Sequence, residues 1–259
     1  MLVIGYRLAR KLRCWFNRDI YRKIYEAQSA LFPIDEAVGD GPYDLIGQLE
    51  LNLLRGEGLA PEHTLLDVGC GNGRLAVHAV PYLHAGAYCG VDVSARLLRQ
   101  AAERVRVGAR GGAAGPRGGC RVSWCRQRGQ RIALPANSVD FACVFSVFTH
   151  LEHEDTYNYL LELSRVVRPG GKVIFSCLPL DLPVAADFFR QQAALEFGHR
   201  WAQVRNIVTS RDLMEAIARL AGWQVVRWYA GNEANIPDQH GQLHALGQSS
   251  CVLGKPAIG

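Results

Sequence analysis

Asp67, Gly69, Gly71, Gly73 and Asp92 are the residues of this chain whose types and spacing point most directly to chemistry. The segment LLDVGCGNG places a carboxylate two positions ahead of glycines that recur at alternate residues. Glycines so spaced let a backbone turn sharply and come close to a ligand. N–H groups at the start of a following helix would then face a polar group of that ligand. The dinucleotide pattern G-x-G-x-x-G is not met, because Arg74 stands at its last glycine. A carboxylate ahead of the turn suits an amine better than a pyrophosphate. Asp92 closes a second apolar run, YCGVDV, where a carboxylate can accept hydrogen bonds from ribose hydroxyls.

Positioning these groups requires a strand, a tight turn, a helix and a second strand. The apolar run before Asp67 is the first strand, and the spacing of Leu75, Ala76, Ala79, Val80 and Leu83 predicts a helix over 74–83. Residues 88–93 are the second strand and 96–107 the next helix. The low-complexity stretch GARGGAAGPRGG reads as a surface loop. Strands are expected at 121–126, 141–146 and 172–178, with a helix near 154–167 before Pro169-Gly170-Gly171. Thr149 and Glu152 have capping-box spacing ahead of that helix. Ser210 is placed to cap a helix over 211–221 that Gly222 ends, and strands at 223–229 and 249–253 complete the chain.

Four segments in this order resemble the class I S-adenosylmethionine-dependent methyltransferases: LLDVGCGNGRLA, GVDVS, LPANSVDFACVFSVFTHL and LLELSRVVRPGGKVIFS. The resemblance implies an α/β fold, a Rossmann-like, mostly parallel seven-stranded sheet with helices on both faces, the last strand antiparallel, and extra N-terminal helices. It also implies S-adenosylmethionine as the cofactor. Asp67, Gly69 and Gly71 would hold its methionine part, with Cys70 between the glycines. Asp92 would bind the ribose, with Val93 beside it. Ser146 and Val147, after the fourth strand, would line the floor near the sulfonium. Gln130 falls where the family commonly has an aspartate facing the adenine amino group, and a glutamine carbonyl oxygen can accept the same hydrogen bond.

Methyl transfer from a sulfonium is an in-line displacement in which the protein chiefly aligns the partners. A hydroxyl or thiol acceptor must also lose a proton, and a base beside the sulfonium helps. His150 is the first candidate and His153 the second; the bland role for His150 is packing at the helix start. No N-P-P-Y, D-P-P-Y or Pro-Cys signature follows the fourth strand, which argues against nucleobase acceptors. Ser146 stands where metal-dependent catechol-type enzymes need an acid, so no catalytic metal is expected. The acceptor pocket is expected from the N-terminal region and from 179–209, which carries Phe188, Phe189, Phe197, His199 and Trp201. Helical spacing of Phe188, Phe189 and Leu195 is equally what a core helix shows.

The chain has 259 residues, 49% of them apolar, enough for one sizeable α/β core. Its eight scattered cysteines show no zinc-ligand spacing, which fits a reducing cytosol. Net charge is +5, yet residues 1–25 hold seven bases against Asp19, so the remainder is close to neutral. That body lacks the general basic surface of a nucleic-acid enzyme. Within 1–25, Ile4, Leu8, Leu12, Trp15, Phe16, Ile20 and Ile24 have near-helical spacing. Such a helix would dock on its own domain or lie on an anionic membrane surface. Residues 1–42 are therefore set apart as a helical, basic extension and 43–259 as the methyltransferase domain. The expected protein is cytoplasmic, with membrane association through 1–25 as the added reading. Its expected activity is methyl transfer to a small-molecule acceptor, at oxygen. The alternatives are a non-catalytic S-adenosylmethionine-binding module, and a methyltransferase acting on protein or RNA.

Overall fold

The computed structural model describes residues 42–110, 119–200 and 204–257. The chain begins there with α1 (Tyr43–Gly56), β1 (Thr64–Val68), α2 (Ala76–Tyr82), β2 (Ala87–Asp92), α3 (Ala95–Arg110) and β3 (Arg121–Arg126). It continues with β4 (Val139–Val144), α4 (His153–Val166), β5 (Val167–Pro179), α5 (Pro183–Ala193), α6 (Phe197–Arg200) and β6 (Val208–Thr209). The last part holds α7 (Arg211–Leu220), β7 (Gln224–Tyr229), the short pair β8 (Ile236–Pro237) and β9 (Leu243–His244), and β10 (Ser249–Gly254). Residues 1–41, which carry the proposed N-terminal extension and the amphipathic reading of 1–25, and the 111–118 part of the glycine-rich loop fall outside the described residues.

The main sheet runs β3-β2-β1-β4-β5-β10-β7, with β6 pairing the end of β5. Neighbours are parallel from β3 to β5, while β10 is antiparallel to both β5 and β7. The expected mostly parallel sheet with an antiparallel last strand is therefore present. Central strands β1, β4 and β10 are buried nearly throughout, whereas the outer strands β3 and β7 are partly exposed along their length. That difference follows from position, since helices cover both faces of a central strand. On one face, Leu49, Leu53 and Leu54 of α1 and Ala76, Ala79 and Val80 of α2 pack with Tyr88, Cys143 and Ile174. On the other, Tyr159, Leu160 and Leu163 of α4 and Met214 and Ile217 of α7 pack with Val91, Val144 and Phe175.

Three local expectations change. The helix after the glycine turn starts at Ala76 rather than at residue 74, because the glycine turn itself runs on through the preceding residues. Pro169-Gly170-Gly171 does not merely end a helix: the strand already begins at Val167, and this stretch exchanges hydrogen bonds with the chain end (Gly170 N–H to the Lys255 carbonyl, Lys255 N–H to the Gly171 carbonyl). The Thr149–Glu152 capping box does not form. Glu152 is the N-cap residue and makes no side-chain capping bond, while Thr149 is buried and its carbonyl accepts from Ile207 N–H. Tertiary contact with the 205–209 segment took Thr149 out of capping geometry. Ser210 does cap α7, accepting from Leu213 N–H at 3.2 Å, and Gly222 follows with φ +84°.

Candidate functional site

Strand order reverses between β1 and β4: β2 and β3 follow on one side and β5 on the other. In open α/β sheets ligands bind outside the carboxyl ends of the strands at such a switch point. The glycine turn leaves β1 there. Gly69, Gly71 and Gly73 have φ of +72°, +54° and +90°, the left-handed region that a side chain disfavours. At Gly69 space is limiting as well, since an added Cβ would lie 2.2 Å from Val147 Cγ2. Val147 therefore closes over the glycine turn, and the end of β4 meets the end of β1.

Four N–H groups of the turn itself bond within the protein. Gly69 and Cys70 both donate to the Val91 carbonyl at 2.8 and 3.1 Å, and Gly73 donates to the Cys70 carbonyl at 3.0 Å. Gly71 donates to Asp92 Oδ2 at 3.0 Å, and Ser94 N–H donates to Asp92 Oδ1 at 2.7 Å. A phosphate cradle needs backbone N–H groups aimed at the ligand, and here they are spent inside the protein. The glycine N–H groups that would cradle a pyrophosphate are thus engaged within the protein, while carboxylates flank the turn on both sides.

Asp67 lies under the turn on β1. It accepts from Tyr88 Oη at 2.5 Å and from the Cys143 thiol at 3.5 Å. Burial pushes its carboxyl up to about 7, with the Glu50 and Asp92 charges adding and the Tyr88 and Cys143 hydrogen bonds opposing. Asp92 is pushed up to about 6, again chiefly by burial, against the pull of the Ser94, Gly71 and Val93 N–H groups. Two carboxyls raised this far favour a cationic ligand, which would restore their charge. The two acids share one site: Asp92 bonds the turn directly through Gly71, and its charge acts on Asp67.

Helix α1 holds the turn from above. Tyr43 Oη donates to Asn72 Oδ1 at 2.8 Å, and Arg74 reaches Glu50 at 2.6 Å in a largely buried ion pair. Gly47 permits this approach, because a Cβ there would lie 2.3 Å from the Arg74 carbonyl oxygen. Arg74, which from sequence only broke the dinucleotide pattern, is thus the tie between α1 and the turn. The Arg74–Glu50 pair and Tyr88 had no signal in the sequence: a lone acid mid-helix and a tyrosine mid-strand are ordinary residues until packing brings them to Asp67.

The remaining candidates lie beyond β4. Ser146 has φ +56°, unusual for a side-chain-bearing residue, and its N–H donates to Ser176 Oγ at 2.7 Å. Gln130 donates through Nε2 to Asp155 Oδ1 at 2.6 Å, which ties the loop after β3 to the first turn of α4. Val93 accepts from Arg126 Nε at 3.2 Å through its carbonyl. His150 Nδ1 hydrogen-bonds with the Arg205 carbonyl at 2.9 Å. A carbonyl can only accept, so the proton sits on Nδ1 and Nε2 is the basic nitrogen. Burial lowers its pKa and the Arg205 carbonyl opposes this, which keeps the ring neutral at pH 7. His153 is drawn elsewhere: Nε2 lies 3.2 Å from Thr209 Oγ1, in the seam between α4 and β6.

Of the aromatic segment, Phe188 packs with Leu178, Leu182, Ala185 and Val208, while Phe189 is half exposed. Trp201 lies outside the described residues and so does the side chain of Phe197. Among the described residues, no group of three His, Cys, Asp or Glu side chains could hold a metal ion.

Residues 66–175 match the methyltransferase-domain family. An uncharacterised methyltransferase of Schizosaccharomyces pombe is 33% identical over 121 residues, 46% of this chain and 40% of that protein. The chain thus aligns with less than half the length of this curated relative. Among solved structures, the PH0226 protein from Pyrococcus horikoshii OT3 has a TM-score of 0.60 at 16% identity, covering 89% of this chain and 98% of its own. Magnesium protoporphyrin IX methyltransferase from Synechocystis PCC 6803, with bound S-adenosylhomocysteine, has a TM-score of 0.57 at 15% identity, covering 95% and 98%. A putative methyltransferase from Haloferax volcanii, solved with the Trm112 activator, gives 0.59 at 16% identity, covering 92% and 98%. At these identities the solved structures share the fold.

Proposed function

We propose, from the match of residues 66–175 to the methyltransferase-domain family, that the chain is a class I S-adenosylmethionine-dependent methyltransferase and transfers a methyl group to a hydroxyl of a small molecule. One observation carries the choice of cofactor. The turn has the N–H groups of Gly69, Cys70, Gly71 and Gly73 engaged within the protein and buried acids on both flanks, an arrangement that suits an ammonium and a ribose better than a phosphate. Asp92, fixed by two backbone donors, keeps oxygen lone pairs for the ribose hydroxyls. Asp67 supplies negative charge beneath the methionine end. Gly69 and Gly71 allow close approach, with Cys70 and Val93 forming adjacent wall, and Gln130 offers its carbonyl oxygen to the adenine amino group. Ser146 and Val147 form the floor below the sulfonium.

Bound S-adenosylmethionine supplies a methyl group activated by positive sulfur. The chain's own task is to align the acceptor and take its proton. His150 suits the second task, being neutral and having its basic nitrogen set by the Arg205 carbonyl. A base is needed by a hydroxyl more than by an uncharged amine, which favours oxygen as the methylated atom. A small acceptor fits the near-neutral charge of the chain beyond residue 25. No helix among the described residues is long and apolar enough to cross a membrane, and the reading includes a cytoplasmic location.

The test is label transfer from tritiated S-adenosylmethionine into a fractionated small-molecule extract. His150→Gln should cut transfer by roughly 10²–10⁴-fold while S-adenosylhomocysteine affinity is kept. Unchanged transfer removes His150 as the base, and label found in protein or RNA removes the small-molecule acceptor.

The raised acids give a pH signature. Without its cationic ligand, the folded domain holds Asp67 and Asp92 neutral over a range where the unfolded chain has them ionised. Its stability is therefore expected to fall as pH rises from about 4 to about 7. A bound cation favours the ionised acids, so affinity for S-adenosylmethionine should climb from about pH 5 to about 7.5 and then level off. Calorimetry in two buffers of different ionisation heat should register proton release on binding near pH 6. Equal affinity across that range would separate these acids from the ligand.

A further inference from the structure

Ser146, Ser176 and Gln248 come from three separate parts of the chain and meet at the carboxyl edge of the sheet. The Ser146 N–H donates to Ser176 Oγ at 2.7 Å, and the Ser176 hydroxyl donates to Gln248 Oε1, also at 2.7 Å. The Ser146 hydroxyl donates to the same Oε1 at 3.3 Å. These bonds fix which way the Gln248 amide faces. Ser176 Oγ accepts from a backbone N–H and gives its own proton to Gln248 Oε1, so the carbonyl oxygen of Gln248 faces inward. The amide Nε2, with two donor hydrogens, is then directed away from both serines.

The backbone around Gln248 is held firmly. Gly247, at φ +78°, donates its N–H to the Gly231 carbonyl at 2.8 Å, and Gly231 N–H donates to Ser249 Oγ at 3.1 Å. A Cβ on Gly231 would lie 2.4 Å from the Gln248 carbonyl carbon, so two chain segments cross there in contact. Beside the cluster, Ser250 pairs directly with Ser176 across the β10–β5 ladder. Ser250 is only 1% exposed, yet among the described residues its hydroxyl has no hydrogen-bond partner. Buried hydroxyls in native proteins are nearly always paired, so this one marks polar capacity beyond what the fold itself uses.

We propose that Gln248, braced by Ser146 and Ser176, is a specificity-determining residue that donates a hydrogen bond to a carbonyl-type oxygen of the methyl acceptor: a carboxylate, ester or ketone near the reacting hydroxyl. Position supports this. The cofactor-holding turn lies at β1 and β2, and Val147 next to Ser146 closes over it. Strand β10 lies on the far side of β4, two strand spacings or roughly 10 Å away. That is the direction in which an acceptor must lie if the sulfonium sits above the end of β4. The inference rests on the methyl-transfer reading given above.

Gln248→Glu tests it cleanly in the full chain. A carboxylate still accepts both serine protons, so the brace survives, but the outward donor pair becomes an acceptor. Gln248→Leu removes brace and donor together. Gln248→Glu should bind S-adenosylhomocysteine within about twofold of the wild type, while in both variants label transfer from tritiated S-adenosylmethionine at limiting extract falls at least about tenfold. For Gln248→Glu the loss should appear mainly as a raised KM, with part of the rate returning at higher extract concentration. Wild-type labelling of the same fraction by Gln248→Glu overturns the proposal and leaves methyl transfer standing. A wild-type chain that binds S-adenosylhomocysteine but labels no fraction overturns the methyl-transfer reading, and this assignment with it.

Discussion

Gly69→Ala is expected to abolish cofactor binding and to cost about 2–5 kcal/mol of stability. Two separate effects add. The backbone at this residue has φ +72°, where a Cβ strains against the following carbonyl. The same Cβ would enter Val147 Cγ2 at 2.2 Å, so the lid over the turn must shift. Displacing Val147 also disturbs Ser146, whose left-handed conformation is held by the Ser176 hydroxyl. Urea unfolding and S-adenosylhomocysteine calorimetry measure both consequences. Adding Val147→Ala to Gly69→Ala should recover the clash but not the backbone strain, and therefore only part of the stability. Full binding by the single variant would mean that the turn does not form the cofactor wall.

Asp92→Ala should weaken S-adenosylmethionine binding by about 1–3 kcal/mol, the cost of leaving buried donors unpaired together with the lost ribose contact. The structure sharpens this expectation. Asp92 does more than wait for a ribose: its two oxygens also hold the Gly71 and Ser94 N–H groups. Alanine leaves both buried and unpaired, so binding and stability should fall together. Asp92→Asn retains one acceptor oxygen and the shape, and should lose less of each. It also removes one of the two acids behind the pH dependence, so the proton release on binding should shrink. If Asp92→Asn binds as weakly as Asp92→Ala and releases as many protons as the wild type, Asp92 is a brace for the turn and not a ligand group.

Much of the site was legible because its demands are local. A turn that needs positive φ at alternate residues can be written only with glycine at Gly69, Gly71 and Gly73. Strands buried on both faces read as continuous apolar runs, which makes β1, β2, β4 and the later part of β5 legible in the sequence. The Ser210 cap was legible for the same reason: the side chain and the N–H it binds are three residues apart. Thr149 shows the limit. Its spacing to Glu152 was right for a capping box, but a distant segment claimed its backbone.

What the sequence determined by itself was the glycine turn and the strand and helix segments around it, each specified by residues within a few positions of one another, while the fold class came from the resemblance of four such segments, taken in order, to a known family. The tertiary structure decided where the turn's N–H groups point, which nitrogen of His150 is basic, and that Glu50 and Arg74 tie α1 to the turn. It alone brought Gln248 to Ser146 and Ser176, from segments far apart in the chain. The physical reason is that hydrogen-bond partners and buried charges are settled by which strands lie side by side. Here β10 inserts antiparallel between β5 and β7, and no local pattern in residues 245–254 encodes that neighbour.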